Sequence, residues 1–569
     1  MTWKIEASRR CGCWALCLLG VGLSACGTEG SSPEWPRFTD RAAASGLTEP
    51  VRAGDAQKAD ILEANTGGVA IIDYDQDGDR DLFFVNGGAR SPYDEEVPRS
   101  MLYRNDGRPQ FTNVSEESGA DVTAWGMGVA VWDVDGDGWP DMFLSAWGAN
   151  HLFLNQRDGT FGSVPSAGGA SDDGWSTGIA AADYDLDGDV DVYVAQYVDR
   201  PAELEAIPSC TWRGIPAFCG PAGLPAAPDR LYERTWDGPS IFRDATEAAE
   251  ISEQIPAYGL GAVAGDLDAD GDPDLYVAND ATPNFLYENR HHTADARWKD
   301  RLHEVGRAAG VAVSGDGRRQ AGMGISVGDI DSDGHVDLLV SNFSHDHVSH
   351  SRQLDPLRFS ETAFASDLGR WTLPTLGWGT GLADFDHDMD LDLFVSNGHV
   401  YPQVDEAGIG TTYRQDNQLF RNDHGFLRDV TVLSGSGLRV TAVSRGAALG
   451  DLDEDGDLDV VIVNLDSIPS LIRNEGVSAG WLSVELEGTR RNRMAIGARV
   501  VVSSQDGHSQ VREIHAGTGY LSQDDHRLHF GAGTIDSVEI EVHWPGGRVE
   551  SLGRMGVRQH VRINSGNDG

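Results

Sequence analysis

The chain has 569 residues, with 90 acidic against 44 basic side chains and a formal net charge of −46. A surface of that sign repels phosphate backbones, which excludes nucleic acid as a partner. The length exceeds what one simple core serves, so the chain reads as an array of small units. Much of the acidity sits in short loops. The remainder reads as a solvated surface or as an acidic docking face.

The N-terminus is a targeting segment. Lys4, Arg9 and Arg10 form a basic region, and Cys11 to Gly22 is an apolar stretch too short to span a membrane. Leu23-Ser-Ala-Cys26 resembles a bacterial lipobox. That resemblance implies removal of residues 1–25 and a lipid on Cys26, and Gly27 after it implies export to the outer membrane. Ordinary cleavage to a periplasmic or secreted protein is the alternative. Residues 26–36 form a small, polar tether.

The next feature is the run Asp73-Tyr-Asp-Gln-Asp-Gly-Asp-Arg-Asp81. Carboxylates stand at positions 1, 3, 5 and 9, and Gly78 stands at position 6. Carboxylates this close repel one another unless a cation lies among them, and Ca²⁺ prefers six to eight oxygens in a flexible cage. The glycine permits positive φ at a sharp turn. The pattern occurs seven times, so the candidate metal ligands are Asp73, Asp75, Asp77 and Asp81; Asp133, Asp135, Asp137 and Asp141; Asp183, Asp185, Asp187 and Asp191; Asp266, Asp268, Asp270 and Asp274; Asp329, Asp331, Asp333 and Asp337; Asp384, Asp386, Asp388 and Asp392; and Asp451, Asp453, Asp455 and Asp459. The sixth loop has Met389 where glycine is expected, which makes it the poorest site. Position 12, Phe84 in the first loop, carries no bidentate glutamate, so these are not EF-hands. Small residues precede each loop and β-branched or aromatic residues follow it, so each loop joins two strands of a hairpin.

Two further signatures recur between loops. One is a Leu-aromatic-x-Asn piece, such as Leu102-Tyr-Arg-Asn105 and Leu419-Phe-Arg-Asn422; the other opens on Phe, as at Phe111 and Phe242. Each repeat therefore holds four strands, the signature of a β-propeller. The array ends at Leu471-Ile-Arg-Asn474 without a Phe piece, whereas the chain enters on a spare one, Phe38-Thr-Asp40. Residues 37–41 are thus expected to complete the seventh blade and close the ring. The fifth blade fits worst, with no Leu-aromatic-x-Asn piece around Ser349 to Arg352. The expected fold is all-β, a seven-bladed propeller over 37–476 with a small β-rich domain over 477–569.

The insert at 199–229, rich in Pro, Gly and Ala, carries Cys210 and Cys219. In an oxidising compartment this pair reads as a disulfide; a metal site with no intervening His is the weaker reading. Its tip, with Trp212 and Phe218, reads either as a binding feature or as packing against the ring. Beyond it the C-terminal stretch alternates as strands over 481–487, 497–503, 538–543 and 558–563.

The loops resemble FG-GAP/VCBS-type calcium repeats, as in integrin α-subunit propellers. Asn492, Ala495-Ile-Gly-Ala-Arg-Val500, Gly517-Thr-Gly-Tyr-Leu-Ser-Gln523, His529-Phe-Gly531 and Trp544-Pro-Gly546 resemble the ASPIC/UnbV domain. The whole is similar to the cartilage acidic protein family, including Cys210-Thr-Trp-Arg-Gly214 and Phe218-Cys-Gly-Pro221 as in bacterial members. The resemblance implies a calcium-binding propeller outside the cell and no established reaction.

Catalytic readings are weaker. The carboxylates belong to a repeated loop rather than flanking a substrate. Gly324-Ile-Ser-Val-Gly328 matches a nucleophile elbow but runs into the Asp329 loop instead of a helix. His345, His347 and His350 read as a solvated cluster, with a transition-metal site as the alternative. The expected function is a lipid-anchored surface module that binds a protein or glycan. The alternatives are an enzyme or enzyme accessory, with its site in the funnel or at the junction with the C-terminal domain, and a structural envelope component.

Overall fold

The computed structural model describes residues 35–566 except 89–97, 108, 172, 200–208, 237, 239, 252–254, 291–296 and 506. Cys26, the targeting segment and most of the tether lie outside the described residues, as does the start of the insert.

Among the described residues, seven four-stranded antiparallel sheets follow one another along the chain. Blade 1 is Val69–Ile72, Asp81–Phe84, Met101–Asn105 and Phe111–Asn113. Blade 3 is Ser176–Ala182, Asp191–Gln196, Arg230–Arg234 and Phe242–Asp244, with the insert between its second and third strands. Blade 7 takes Ser444–Gly450, Asp459–Asn464 and Ser470–Asn474, and its fourth strand is Phe38–Asp40 from the N-terminus. That strand pairs antiparallel with Ser470–Asn474 in the register Phe38↔Asn474 to Asp40↔Ile472, as the leftover Phe piece predicts. The innermost strands touch their neighbours in cyclic order, blade 7 meeting blade 1. The molecule is a seven-bladed β-propeller.

Sequence chemistry explains the inner strands. They crowd toward the axis, so most of their residues are small and buried, as in Ser176–Ala182. At the point of closest approach only glycine fits. A Cβ on Gly261 of blade 4 would lie 2.1 Å from the Met323 carbonyl oxygen of blade 5, and one on Gly446 of blade 7 would lie 2.5 Å from that of Gly67 beside blade 1. The second strands are buried along nearly their whole length, as in Asp459–Asn464. They carry the β-branched side chains that fill the space between blades.

The fifth blade, the poorest match in sequence, forms a full sheet with Ser349–Asp355 as its third strand. The C-terminal domain holds the expected strands at Gly480–Glu487, Arg499–Ser503, Ser537–His543 and Gln559–Asn564. Three more appear at Ser509–Glu513, Leu528–Gly533 and Val549–Gly556. They make one sheet of three strands and one of four. The domain has no separate core: Val484, Ile496, Val500 and Trp544 pack in one cluster with Trp132, Val190 and Tyr232 of blades 2 and 3.

The insert folds as a hairpin, Ser209–Trp212 with Ile215–Phe218, and Cys210 is bonded to Cys219. Its tip packs down on the ring. The Trp212 ring lies 5.1 Å from His399 and 5.7 Å from Phe343, and Phe218 lies 4.7 Å from Tyr401. Of the two readings of this tip, packing is the one the side chains adopt.

Candidate metal centres and the plugged channel

Each aspartate loop is shaped by backbone donors before any ion is considered. In the second to seventh loops position 5 donates its N–H to the position 1 carboxylate, as in Asp137 to Asp133 at 3.1 Å and Asp388 to Asp384 at 2.9 Å, whereas Asp77 of the first donates to Asp75 at 3.3 Å. Position 7 donates to position 5, as in Trp139 to Asp137 at 2.9 Å. Position 6 is left-handed in all seven loops, and Met389 adopts φ 84° in the sixth. Met389 still donates its N–H to Asp384 Oδ2 at 2.8 Å, so the sixth loop keeps its geometry despite the missing glycine. Position 4 is left-handed too, at Gln76, Gly136, Leu186, Ala269, Ser332, His387 and Glu454. Only the second loop meets that requirement with glycine, so the need was visible in sequence only at Gly136.

The loops gather their carboxylates. Oxygens of Asp73, Asp75 and Asp81 lie within 4.8 Å of one another, as do those of Asp133, Asp135 and Asp141, and of Asp183, Asp185 and Asp191. In the fourth and fifth loops the gathered trios are Asp266, Asp268 and Asp270, and Asp329, Asp331 and Asp333. The position 9 side chain is buried in every loop: Asp81, Asp141, Asp191, Asp274, Asp337, Asp392 and Asp459. Burial pushes Asp81 up to about 9 and Asp337 up to about 8, against the ordinary carboxylate range near 4. Asp73, Asp133 and Asp329 at position 1 rise to about 6 from the same cause. Several buried oxygens have no hydrogen-bond partner, among them Asp73 Oδ1, Asp191 Oδ2, Asp331 Oδ1, Asp453 Oδ1 and Asp459 Oδ2. Arginines neutralise other oxygens of the same groups, as Arg352 does at Asp331 and Asp333 and Arg473 at Asp453 and Asp455. Clustered, partnerless carboxylate oxygens fit a hard divalent cation and no softer metal.

The recurrent Asn has a role that its sequence pattern did not reveal. Its backbone N–H donates to Oδ1 of the position 9 Asp, as Asn105 does to Asp81 at 2.8 Å and Asn474 to Asp459 at 2.9 Å. Its side chain crosses to the preceding blade and donates to the carbonyl of position 2 in that loop. Asn155 reaches Tyr74 O at 2.7 Å, Asn422 reaches Ile330 O at 2.7 Å, and Asn105 reaches Leu452 O at 3.2 Å across the closure. Where the motif is missing, another donor takes the place. Arg234 Nε bonds Val134 O at 3.0 Å in blade 3, and Gln353 Nε2 bonds Leu267 O at 2.8 Å in blade 5. Each loop is thereby held to the next blade.

The second feature sequence reading missed lies on the axis. Residues 515–525, which include the Gly517–Gln523 motif, enter the channel and bond to inner strands around the ring. Ala181 N–H donates to Ala516 O at 2.9 Å, Ile325 N–H to Gly519 O at 2.9 Å, Val129 N–H to Leu521 O at 3.2 Å and Ile71 N–H to Gln523 O at 3.0 Å. His515 Nδ1 meets Ala264 O at 2.8 Å, and Leu449 N–H donates to Asp524 Oδ1 at 2.8 Å. Tyr520 is fully buried with its ring 4.9 Å from Trp378, in the same apolar cluster as Ile215 and Phe218 of the hairpin. The channel is thus filled from one end by the plug and from the other by the hairpin.

The remaining motifs carry no assembled site. His347 bonds Glu361 at 3.1 Å, His350 bonds Ser366 at 3.2 Å, and His345 lies against Trp212, so the three histidines go to different partners. Ser326 sits within an inner strand and donates to Thr380 at 2.8 Å, not to a catalytic base.

A propeller with aspartate loops at its hairpin turns, plugged by a β-rich C-terminal domain, defines the class. Residues 73–144, 133–194 and 266–340 match the FG-GAP-like repeat, and residues 488–569 match the ASPIC and UnbV family. By these matches the chain carries FG-GAP-like repeats and a C-terminal stretch like the ASPIC and UnbV family, and it is similar to cartilage acidic protein 1. It is 27% identical to the human protein over 337 residues, 57% of this chain and 47% of that one. It is 26% identical to the Xenopus tropicalis protein over 310 residues, 53% of this chain and 44% of that one. The chain spans about half the length of the curated relatives it matches. Among solved structures, BBS1N in complex with ARL6DN overlaps at 10% identity with a TM-score of 0.41, over 77% of this chain and 96% of that one.

Proposed function

We propose that the protein is a calcium-stapled propeller, exported and anchored through a lipid on Cys26, that binds a protein or glycan at the cell surface. The observation that carries the calcium reading is the set of buried carboxylate oxygens without partners, repeated in loop after loop. The residues that would hold the ions are those at positions 1, 3, 5 and 9 of each loop. Bound calcium supplies positive charge that offsets the mutual repulsion of these groups. Position 9 links each site to the fold, because the same carboxylate accepts the backbone N–H of the recurrent Asn. Repetition favours stapling over catalysis, since a reaction needs one asymmetric site. Filling of the channel from both ends leaves the outer faces of the blades and the rims for a partner. The likeness to cartilage acidic protein 1 supports an extracellular setting.

Two experiments test the reading. Mature chain is screened against glycan and extracellular-protein arrays with calcium and with EDTA; calcium-dependent binding to a defined ligand supports the module. A screen blank under both conditions sinks it. Separately, palmitate labelling of the full chain in a bacterial host should be lost in Cys26→Ser, and equal labelling of both chains removes the anchor.

A further inference from the structure

One edge of the ring, along blades 5 and 6, is unusually apolar. Among the described residues nine large apolar side chains are exposed, and six belong to two segments of this edge: Phe364, Trp371 and Leu373, and Phe426, Val432 and Leu433. Val432 and Leu433 are the barest of the six, at 76% and 71%. Single exposed apolar residues are ordinary, whereas a cluster marks a surface that something covers.

The fold brings the two segments together. Blade 6 is Gly377–Ala383, Asp392–Asn397, Gln418–Arg421 and Arg428–Asp429. The first segment leads into it from Arg358–Glu361, the outer strand of blade 5, and holds the short helix Leu368–Thr372. That helix touches Arg428–Asp429, and the Leu427 N–H donates to Ser366 O at 3.1 Å. Gln418 Nε2 donates to Trp371 O at 3.0 Å, and the next residue, Leu419, gives its N–H to Thr431 Oγ1 at 3.0 Å. The start of this strand therefore ties Trp371 to the Val432–Leu433 turn.

The N-terminus points to what covers the edge. Trp35 Nε1–H donates to Ser434 Oγ at 2.7 Å and the Phe38 N–H to Ser434 O at 2.7 Å, so the chain enters beside Leu433. Cys26 lies nine residues before Trp35, a span of at most about 32 Å. A lipid on Cys26 thus keeps this edge within that distance of a bilayer. Charge agrees. A chain of net charge −46 is repelled by anionic headgroups, but residues 364–376 and 423–441 set Asp367, Asp423 and Asp429 against Arg370, Arg428 and Arg439, a net of zero. Arg370 lies 4.7 Å over the Trp371 ring, and an indole beside a guanidinium suits the headgroup level.

We propose that this edge of blades 5 and 6 rests on the lipid bilayer, with its apolar side chains at the boundary between headgroups and acyl chains. The contact rests on the lipid-anchor reading above and adds to it the face that meets the membrane.

The test supplies the anchor chemically. Cys210 and Cys219 are bonded to each other, so Cys26 is the one free thiol of the mature chain. Calcium-loaded mature chain is coupled through Cys26 to a maleimide lipid in vesicles of phosphatidylethanolamine and phosphatidylglycerol. Loss of palmitate labelling in cells and loss of the contact here are then separate results. Hydrogen–deuterium exchange is compared for coupled and free chain. Peptides over 364–373 and 426–433 should exchange several-fold more slowly on the vesicles. A peptide over Phe161–Val164, the outer strand of blade 2, should not change. Val432→Glu with Leu433→Glu should remove the slowing, and should lower partition of uncoupled chain into the same vesicles at least about tenfold. Should that variant melt lower than wild type, the wild-type exchange pattern decides alone. The proposal is overturned if the two segments exchange equally on and off vesicles, or if Phe161–Val164 slows as much as they do. Slowing that appears in free chain as its concentration rises assigns the edge to a second copy and overturns it too, as does unaltered slowing in a stably folded variant.

Discussion

Removal of calcium is the perturbation with the largest expected effect. An extracellular oxygen-ligand site has a Kd on the order of 10⁻⁴ M, so at about 5 mM free ion each site stabilises the folded state by about 2.3 kcal/mol. Seven loops share the geometry described above. If all are filled and none survives unfolding, they contribute on the order of 16 kcal/mol. Unfolding entropy is about 2.1 cal/mol/K per residue, so a chain of this size should melt about 14 °C lower after EDTA. Because each loop is bonded to the next blade, the ring should lose stability as one unit. The assay is differential scanning calorimetry of the mature chain at several free calcium concentrations. The midpoint should rise with the logarithm of calcium, and magnesium should substitute poorly because it demands a tighter octahedral cage. A midpoint that moves by less than about 2 °C between EDTA and about 5 mM calcium would correspond to a single weakly filled site, and would refute the stapling argument.

Other outcomes follow from single features. In EDTA the raised aspartates bind more protons folded than unfolded between about pH 4 and pH 8, so stability should fall as pH rises through that window; calcium should abolish or reverse the trend. Melts of chelated protein at pH 5 and pH 8 check the sign, and a chelated form more stable at pH 8 contradicts it. Asn155→Ala strips the buried Tyr74 carbonyl of its donor and should destabilise by about 2–3 kcal/mol in urea titration, whereas the exposed Thr112→Ala should cost less than about 0.5 kcal/mol. A Cβ on Gly517 would lie 1.9 Å from the Ile179 oxygen, at φ 95°. Gly517→Val should therefore expel the plug, exposing the C-terminal domain to limited proteolysis at protease levels that leave wild type intact. Met389→Gly relieves a left-handed side chain but adds freedom to the unfolded chain, so the net change should stay within about 1 kcal/mol.

What was legible in the sequence was local. Four aspartates and a glycine in nine residues fix a turn by their own backbone preferences, and small residues before it with β-branched residues after it fix the flanking strands. The spare Phe38 piece was enough to foresee how the ring closes, because strand count is a sequence property. The Leu-aromatic-x-Asn piece marked a strand, but its Asn could not be given a role, since its partner lies on the preceding blade. Blade 5 looked defective for the same reason: Gln353 replaces Asn at a distance that only the folded ring defines.

The residues alone therefore determined the repeat, its turns and the number of blades, because those follow from φ preferences and side-chain period within about ten positions. The tertiary structure decided what occupies the axis. Nothing in Gly517–Gln523 or in the Cys210–Cys219 hairpin announces a channel. The plug's backbone groups find partners, and the hairpin's aromatic tip finds its packing surface, only once distant strands converge, and buried polar groups must find partners wherever the assembled fold supplies them.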